Sequence, residues 1–213
     1  MSEIDVILTD LGGVIFKSAG IRTAAAAFLN TDSEDETVKK VAELFVDAFV
    51  QNIDEGKLWG GIARLTNHNP EEVQRLADHL RYTINDQYLR YLRKLSKEYK
   101  IGIVSDNNSI IYGIIKRSIP DFDEIFDRNN IFLSYMENDS KYLSGSRYFD
   151  RIVKKINIEG ERILLIDDQI DNINNAKKSG MRALQYIRTE SEENDNRKIF
   201  YEVNQLLGRG KDE

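Results

Sequence analysis

With 213 residues, 41% of them apolar and 31% charged, the chain is long enough for one domain with an insertion, or for two small domains sharing a core, and its composition is that of a soluble globular protein. A net charge of −6 argues against nucleic acid as a partner, because phosphate backbones attract basic faces, and no apolar run approaches the length of a membrane span. The absence of cysteine removes disulfides, thiol nucleophiles and thiolate zinc sites, leaving His68 and His79 as the imidazoles, so a metal site would be built from oxygen.

Met1 to Asp5 carry acid rather than Lys or Arg, which speaks against a signal peptide and predicts a cytoplasmic location. The run from Ile4 to Leu8 is mostly aliphatic and leads into Asp10; Gly12, Gly13 and a second aliphatic run follow. This pattern predicts a buried strand that delivers a carboxylate to a tight turn. From Ile21 to Asn30, with its alanine run, the chain predicts a helix, and Thr31-Asp32-Ser33 offers capping oxygens for the next one. Glu36 to Gln51 repeats apolar residues at three and four positions and predicts an amphipathic helix, broken at Asp54-Glu55-Gly56-Lys57. Leu58 to Leu65 predicts a short helix, and Pro70 sits at the start of another that carries Val73, Leu76 and Leu80.

Asp86 to Tyr99 predicts a helix, Ile101 to Val104 a strand, and Ser105-Asp106-Asn107-Asn108 a strand end able to cap a helix over Ile110 to Ser118, which Pro120 stops. A short helical turn is expected over Asp121 to Asp127, and a strand over Ile131 to Ser134. Tyr135 to Gly145 is expected to be a polar, irregular loop that carries Lys141. The rest predicts a helix over Arg147 to Ile156, a strand over Ile163 to Ile166 ending on Asp167-Asp168, and a helix over Ile170 to Ser179 stopped by Gly180. A last strand over Arg182 to Ile187 and a terminal helix over Arg197 to Leu207 complete the chain. The order implies an α/β fold, a doubly wound parallel sheet with an inserted helical cap: residues 1–16 and 86–213 form the core and 17–85 the cap, standing over the crevice at the carboxyl ends of the strands.

That crevice would gather Asp10, Ser105, Asp106, Asp167 and Asp168, with Lys141 from its loop and Asn172 from a helix start. Crowded carboxylates repel unless a cation neutralises them, and all-oxygen ligation with retained waters suits Mg2+. One carboxylate, a hydroxyl, backbone amides and an ammonium then face an anionic group such as phosphate, which outlines a site for phosphoryl transfer.

The matching pieces Asp10-Leu11-Gly12-Gly13-Val14, Val104-Ser105-Asp106-Asn107, Lys141, and Ile166-Asp167-Asp168-Gln169-Ile170-Asp171-Asn172 span nearly the whole chain in order. In them the sequence resembles the haloacid dehalogenase superfamily of phosphohydrolases, in the branch with a helical cap after the first motif. The resemblance implies that Asp10 attacks phosphorus and becomes an aspartyl phosphate, which water then hydrolyses. It implies magnesium ligation by Asp10, the Gly12 carbonyl and Asp168, with Asp167 binding directly or through water. Ser105 and the Asp106 amide would hold phosphoryl oxygens, Lys141 would offset the charge shared by phosphate and Asp10, and Asn172 would orient Asp167 or a water on the metal.

Three positions depart from the pattern. Gly12 stands where a general acid is usual, a group worth about 10²–10⁴-fold in rate. Asp106 stands where asparagine is frequent, and Tyr142 follows Lys141 in place of proline. The resemblance thus implies a Mg-dependent phosphatase acting on a small phosphorylated metabolite, a sugar phosphate or nucleotide. Two other readings are a binding or regulatory protein with weak or no turnover, motivated by Gly12, and a 2-haloacid dehalogenase. The sequence carries no signature of an oligomer. His68 and His79 read as solvent-facing, Trp59 as packing between helices, and Tyr88 and Tyr91 as core or interface.

Overall fold

The computed structural model describes residues 3–16, 26, 29, 31–32, 34–50, 55–73 and 83–209. Most of the helix expected over Ile21 to Asn30, together with Leu76, His79 and Leu80, lies outside them. Five parallel strands, β1 (Val6–Thr9), β2 (Lys100–Ser105), β3 (Ile131–Leu133), β4 (Ile163–Asp167) and β5 (Arg182–Gln185), form one sheet in the order β3-β2-β1-β4-β5. The central β1 pairs Val6 with Lys100 on one side and with Ile163 on the other. The chain builds outward from β1 to β3 and then returns to place β4 on β1's other edge, so the change of direction falls beside the carboxyl end of β1.

Successive β1 residues face opposite layers. Ile7, Ile101, Ile103, Leu164 and Ile166 pack in one cluster with α3 (Asp86–Leu95), α4 (Ser109–Ser118) and α10 (Glu192–Leu206). Val6, Leu8, Val104, Phe132 and Leu165 pack in a second with α8 (Ser146–Ile156) and α9 (Ile170–Lys178). Being covered on both faces explains the near-continuous aliphatic strands. Gly102 pairs with Leu8, and a Cβ there would come within 2.3 Å of the Asn130 carbonyl, so the strand admits no larger residue at this point.

The described part of the insertion contains α1 (Glu36–Val50) and α2 (Glu55–Thr66), which pack together, and residues 70–73 are helical as well. Asp35, rather than Thr31 or Asp32, caps α1, accepting the Thr37 amide at 2.7 Å. Glu55, Gly56 and Lys57, expected within a break that begins at Asp54, instead open α2, because burying Leu58, Trp59 and Ile62 outweighs the low helix propensity of Gly56; Asp54 lies outside the described residues. Phe16 and Ile84 form an antiparallel bridge, so the chain leaves the sheet layer and returns to it side by side. No described helix is long and apolar enough to cross a membrane.

Several boundaries move for local reasons. The loop expected over Tyr135 to Gly145 holds two single-turn helices, α6 (Ser134–Glu137) and α7 (Lys141–Ser144), the second capped by Ser140, so Lys141 opens a helix. β3 stops at Leu133 because the Ser134 hydroxyl turns back to the strand end after β2. The helical turn α5 (Phe122–Ile125) falls within the expected stretch, whereas α3 ends at Leu95 and β5 at Gln185. The terminal helix α10 starts at Glu192 instead of Arg197: Ser191 caps it and the polar first turn shows no apolar period.

Candidate functional site

Asp10 follows β1 directly, its amide bound to the Ile166 carbonyl at 2.9 Å, so the two central strands hold it at the edge of the crevice. Ser105 ends β2, Asp167 ends β4 and Asp168 follows it. Carboxylate oxygens of Asp10, Asp167 and Asp168 lie within 4.8 Å of one another. Asp10 is 7% exposed and Asp167 fully buried. The Lys141 ammonium, also buried, stands 2.7 Å from Asp167 Oδ2, 3.1 Å from Asp10 Oδ1 and 3.3 Å from the Val104 carbonyl. Its approach to Asp10 is an ion pair without hydrogen-bond alignment, and Asp10 Oδ1 has no hydrogen-bond partner.

The electrostatics follow from this crowding. Burial, reinforced by Asp167 and Asp168 and opposed by Lys141, pushes the Asp10 carboxyl up to about 7. Burial followed by the Asp167 charge raises Asp168 as well. For Lys141, burial alone would lower the pKa, but the carboxylates of Asp10, Asp167 and Asp106 outweigh it and hold the ammonium charged, above its ordinary range. Three carboxylates thus share one cation, an imbalance that a divalent ion would relieve. The hard oxygen donors, and a buried Asp10 oxygen without a hydrogen-bond partner, fit such an ion.

The remaining residues sort by what they touch. Asp167 is saturated: Oδ1 accepts the Gln169 amide and Asn172 Nδ2, both at 2.9 Å, and Oδ2 accepts Lys141 and, at 3.1 Å, Asn172 again. Asp168 accepts Gln169 Nε2 at 2.8 Å, and its carbonyl accepts Gln185 Nε2 at 2.9 Å. The Asp106 carboxylate is spent on α7, taking the amides of Lys141 at 3.0 Å and Tyr142 at 3.3 Å. The acid that replaces the usual asparagine therefore fastens the turn that carries the lysine. Gly12 is exposed, and a Cβ there would meet nothing within 4 Å. His68 is exposed, with Nδ1 2.7 Å from the Thr66 carbonyl.

Sequence reasoning passed over three supports. Gly13 has a φ of +74°, and a Cβ there would lie 2.3 Å from Asp168 Oδ2, so this glycine makes room for the carboxylate; the Gly-Gly pair was its signal. Ser134, fully buried, accepts the Asn107 amide at 2.8 Å and donates to the Asn107 carbonyl at 3.0 Å, fixing the turn after Ser105. Gln185 braces Asp168 from β5, and nothing in its sequence surroundings marks it.

No protein-family model matches the chain, and no curated protein matches it. Solved structures do. A HAD family enzyme from Bacteroides thetaiotaomicron is 17% identical, with a TM-score of 0.73 over 93% of this chain and 99% of its own. The same enzyme, in complex with magnesium and inorganic phosphate, aligns at 18% identity and a TM-score of 0.71 over 90% of this chain and 98% of its own. A predicted HAD-like family hydrolase from Porphyromonas gingivalis is 18% identical, with a TM-score of 0.67 over 93% and 98%. The L-2-haloacid dehalogenase RSc1362 is 15% identical, with a TM-score of 0.58 over 89% of each chain. Strand order, the acidic strand ends and these likenesses converge: the chain has the haloacid dehalogenase-like fold.

Proposed function

We propose that the protein is a magnesium-dependent hydrolase of the haloacid dehalogenase type that acts on a small phosphorylated metabolite, of the sugar phosphate or nucleotide class. The observation that carries this reading is the Asp10 carboxylate, buried among Asp167, Asp168 and Lys141 with one oxygen left without a hydrogen-bond partner. Magnesium would be held by Asp10, Asp168 and the Gly12 carbonyl, with Asp167 beside them; when bound it neutralises the carboxylates and polarises the phosphoryl group. That a Bacteroides thetaiotaomicron relative in fold binds magnesium and inorganic phosphate supports the same assignment.

In this mechanism one carboxylate oxygen of Asp10 attacks phosphorus and forms an aspartyl phosphate, so one difficult displacement becomes two easier ones. Lys141, tethered by Asp167 and by the Val104 carbonyl, stays charged and offsets the negative charge between Asp10 and the phosphoryl oxygens. Ser105 and the Asp106 amide bind those oxygens. The Asp106 side chain acts at one remove, positioning Lys141 through the amides of α7. Residues 17–85 serve as the cap that excludes water and selects the substrate, the bridged residues Phe16 and Ile84 acting as its stem.

A panel of phosphorylated metabolites, assayed for phosphate release with magnesium, tests the reading against an Asp10→Asn variant. Release by the native chain and none by the variant is expected; equal release by both would reject Asp10 as the nucleophile. The dehalogenase reading fares worse on electrostatic grounds, since without a metal Asp168 would stand as an added charge beside Asp10 with no cation of its own. Undiminished turnover of a 2-haloacid in chelator would favour it.

A further inference from the structure

Away from the crevice, a groove of about 720 Å³ runs between α3 and α10. The two helices lie in the same direction: Asn196 donates to Gln87 Oε1 at 3.1 Å near their starts, and the Tyr91 hydroxyl donates to Asn204 Oδ1 at 2.8 Å further along. Tyr91 and Phe200, stacked with ring centres 4.1 Å apart, and the buried Asn204 form the floor. Exposed Arg90 and Lys94 on α3, and Arg197, Tyr201 and Gln205 on α10, rise along the two sides. The charge of this groove is out of keeping with the chain. The sequence holds 36 acidic residues against 30 Lys and Arg, yet three cations line the groove and, among the described residues, no acid does. Arg90 and Lys94 stand one turn apart on one helix, where like charges repel, and neither has a carboxylate partner among the described residues. Arg197 is paired with Glu193 on its own helix, an exposed contact of the kind that contributes little and yields readily. Asn204, 8% exposed, spends its oxygen on Tyr91, which leaves its amide hydrogens for the groove.

We propose that this groove binds a nucleoside diphosphate or triphosphate, at a site separate from the crevice. The occupant must bring negative charge to the rim and a flat face with a hydrogen-bond acceptor to the floor, and a nucleotide carries both. Its base lies against the aromatic floor beside Tyr201 and presents a ring nitrogen or carbonyl to Asn204 Nδ2. Its phosphates reach Arg90, Lys94 and Arg197, whose guanidinium groups can fork onto phosphate oxygens while Lys94 supplies a point charge. The volume falls within the range of about 300–1,000 Å³ that holds small ligands. None of Asp10, Ser105, Lys141, Asp167 and Asp168 lines the groove, so the assignment stands or falls apart from the proposed hydrolysis.

The test is calorimetric titration of the full chain with ADP, GDP, CDP and UDP in chelator, where the carboxylates of the crevice, left without a divalent ion, repel anions. At least one of the four is expected to bind at one site per chain, and more tightly than either its nucleoside or pyrophosphate alone. Arg90→Glu and Lys94→Glu, which reverse exposed charges, should each weaken that binding by about tenfold or more. Tyr201→Ala should weaken the nucleotide and leave pyrophosphate unchanged. Hydrogen exchange on the native chain locates the site without any variant: the nucleotide should protect α3 and α10. No binding of any of the four at millimolar concentration would overturn the proposal, as would undiminished binding by both charge-reversed proteins, or protection confined to the strand ends of the crevice. Pyrophosphate bound as tightly as the nucleotide would overturn the assignment to a nucleoside phosphate and leave a simple anion site.

Discussion

At the scale of single residues, Asp10, the proposed nucleophile, is a buried acid at odds with its neighbours. Burial lifts its carboxyl from 3.8 to about 7, with Asp167 and Asp168 adding to the rise and Lys141 opposing it. A carboxyl so raised binds its proton more tightly folded than unfolded. In metal-free protein its contribution to stability is therefore full below pH 3.8 and is lost as the pH rises through about 7. A divalent cation must displace that proton, so its apparent affinity should weaken about tenfold for each pH unit below the raised pKa. Calorimetric magnesium titrations one unit above and one unit below that value check this, with proton uptake by the buffer at the lower pH; an affinity indifferent to pH would contradict it.

The same residues show what could be read in advance. Asp10, Ser105, Asp167 and Asp168 were legible because each ends an aliphatic run, and a strand buried on both faces can present a polar group only at its end. The partners that adjust them were not legible. Asp106 finds the amides of Lys141 and Tyr142 from 35 and 36 positions away in the chain, a contact set by the fold and by no local pattern. Hence Lys141 was expected in an irregular loop, whereas Ser140 and Asp106 together organise a turn of helix there.

Between elements, the clearest device is a buried polar network that binds the start of α3 to α10. Asn196, fully buried, donates to Asn85 Oδ1 at 2.9 Å and to Gln87 Oε1 at 3.1 Å, and accepts from Asn85 at 3.0 Å and from the Tyr186 hydroxyl at 2.9 Å. Asn85 also caps α3 and takes the Ile15 carbonyl on its amide at 2.8 Å, so the network reaches the chain just past the Asp10 turn. Asn196→Ala would remove two hydrogen bonds from the Asn85 side-chain amide, which keeps Tyr186 and the Tyr88 amide as partners, and would take the acceptor from the Tyr186 hydroxyl. The expected loss is about 1–3 kcal/mol, seen as a lower urea midpoint with an unchanged slope. An unaltered midpoint would mean the network contributes no net stability. Sequence alone hid this arrangement, because Asn85 and Asn196 sit 111 positions apart and each reads as an ordinary polar residue near a helix start.

For the whole molecule, the alternation of strands and helices was enough to foresee a parallel sheet with a crevice at the carboxyl ends. It could not foresee the extent of α10, whose first turn is held by Ser191 and by the Asp195 carboxylate, which accepts the Thr189 amide at 2.8 Å. What the whole fold accomplishes is convergence: β1, β2, β4 and α7, far apart in the chain, bring their polar ends to one place. The central claim is that this place passes a phosphoryl group through Asp10 with magnesium. It is tested most directly by acid quenching the protein during turnover of a phosphorylated metabolite that it hydrolyses, followed by intact mass and peptide mapping. The account predicts a single added phosphoryl group, located on Asp10, formed with magnesium and missing in chelator. Modification at another residue, or the same modification formed without a metal, would contradict it.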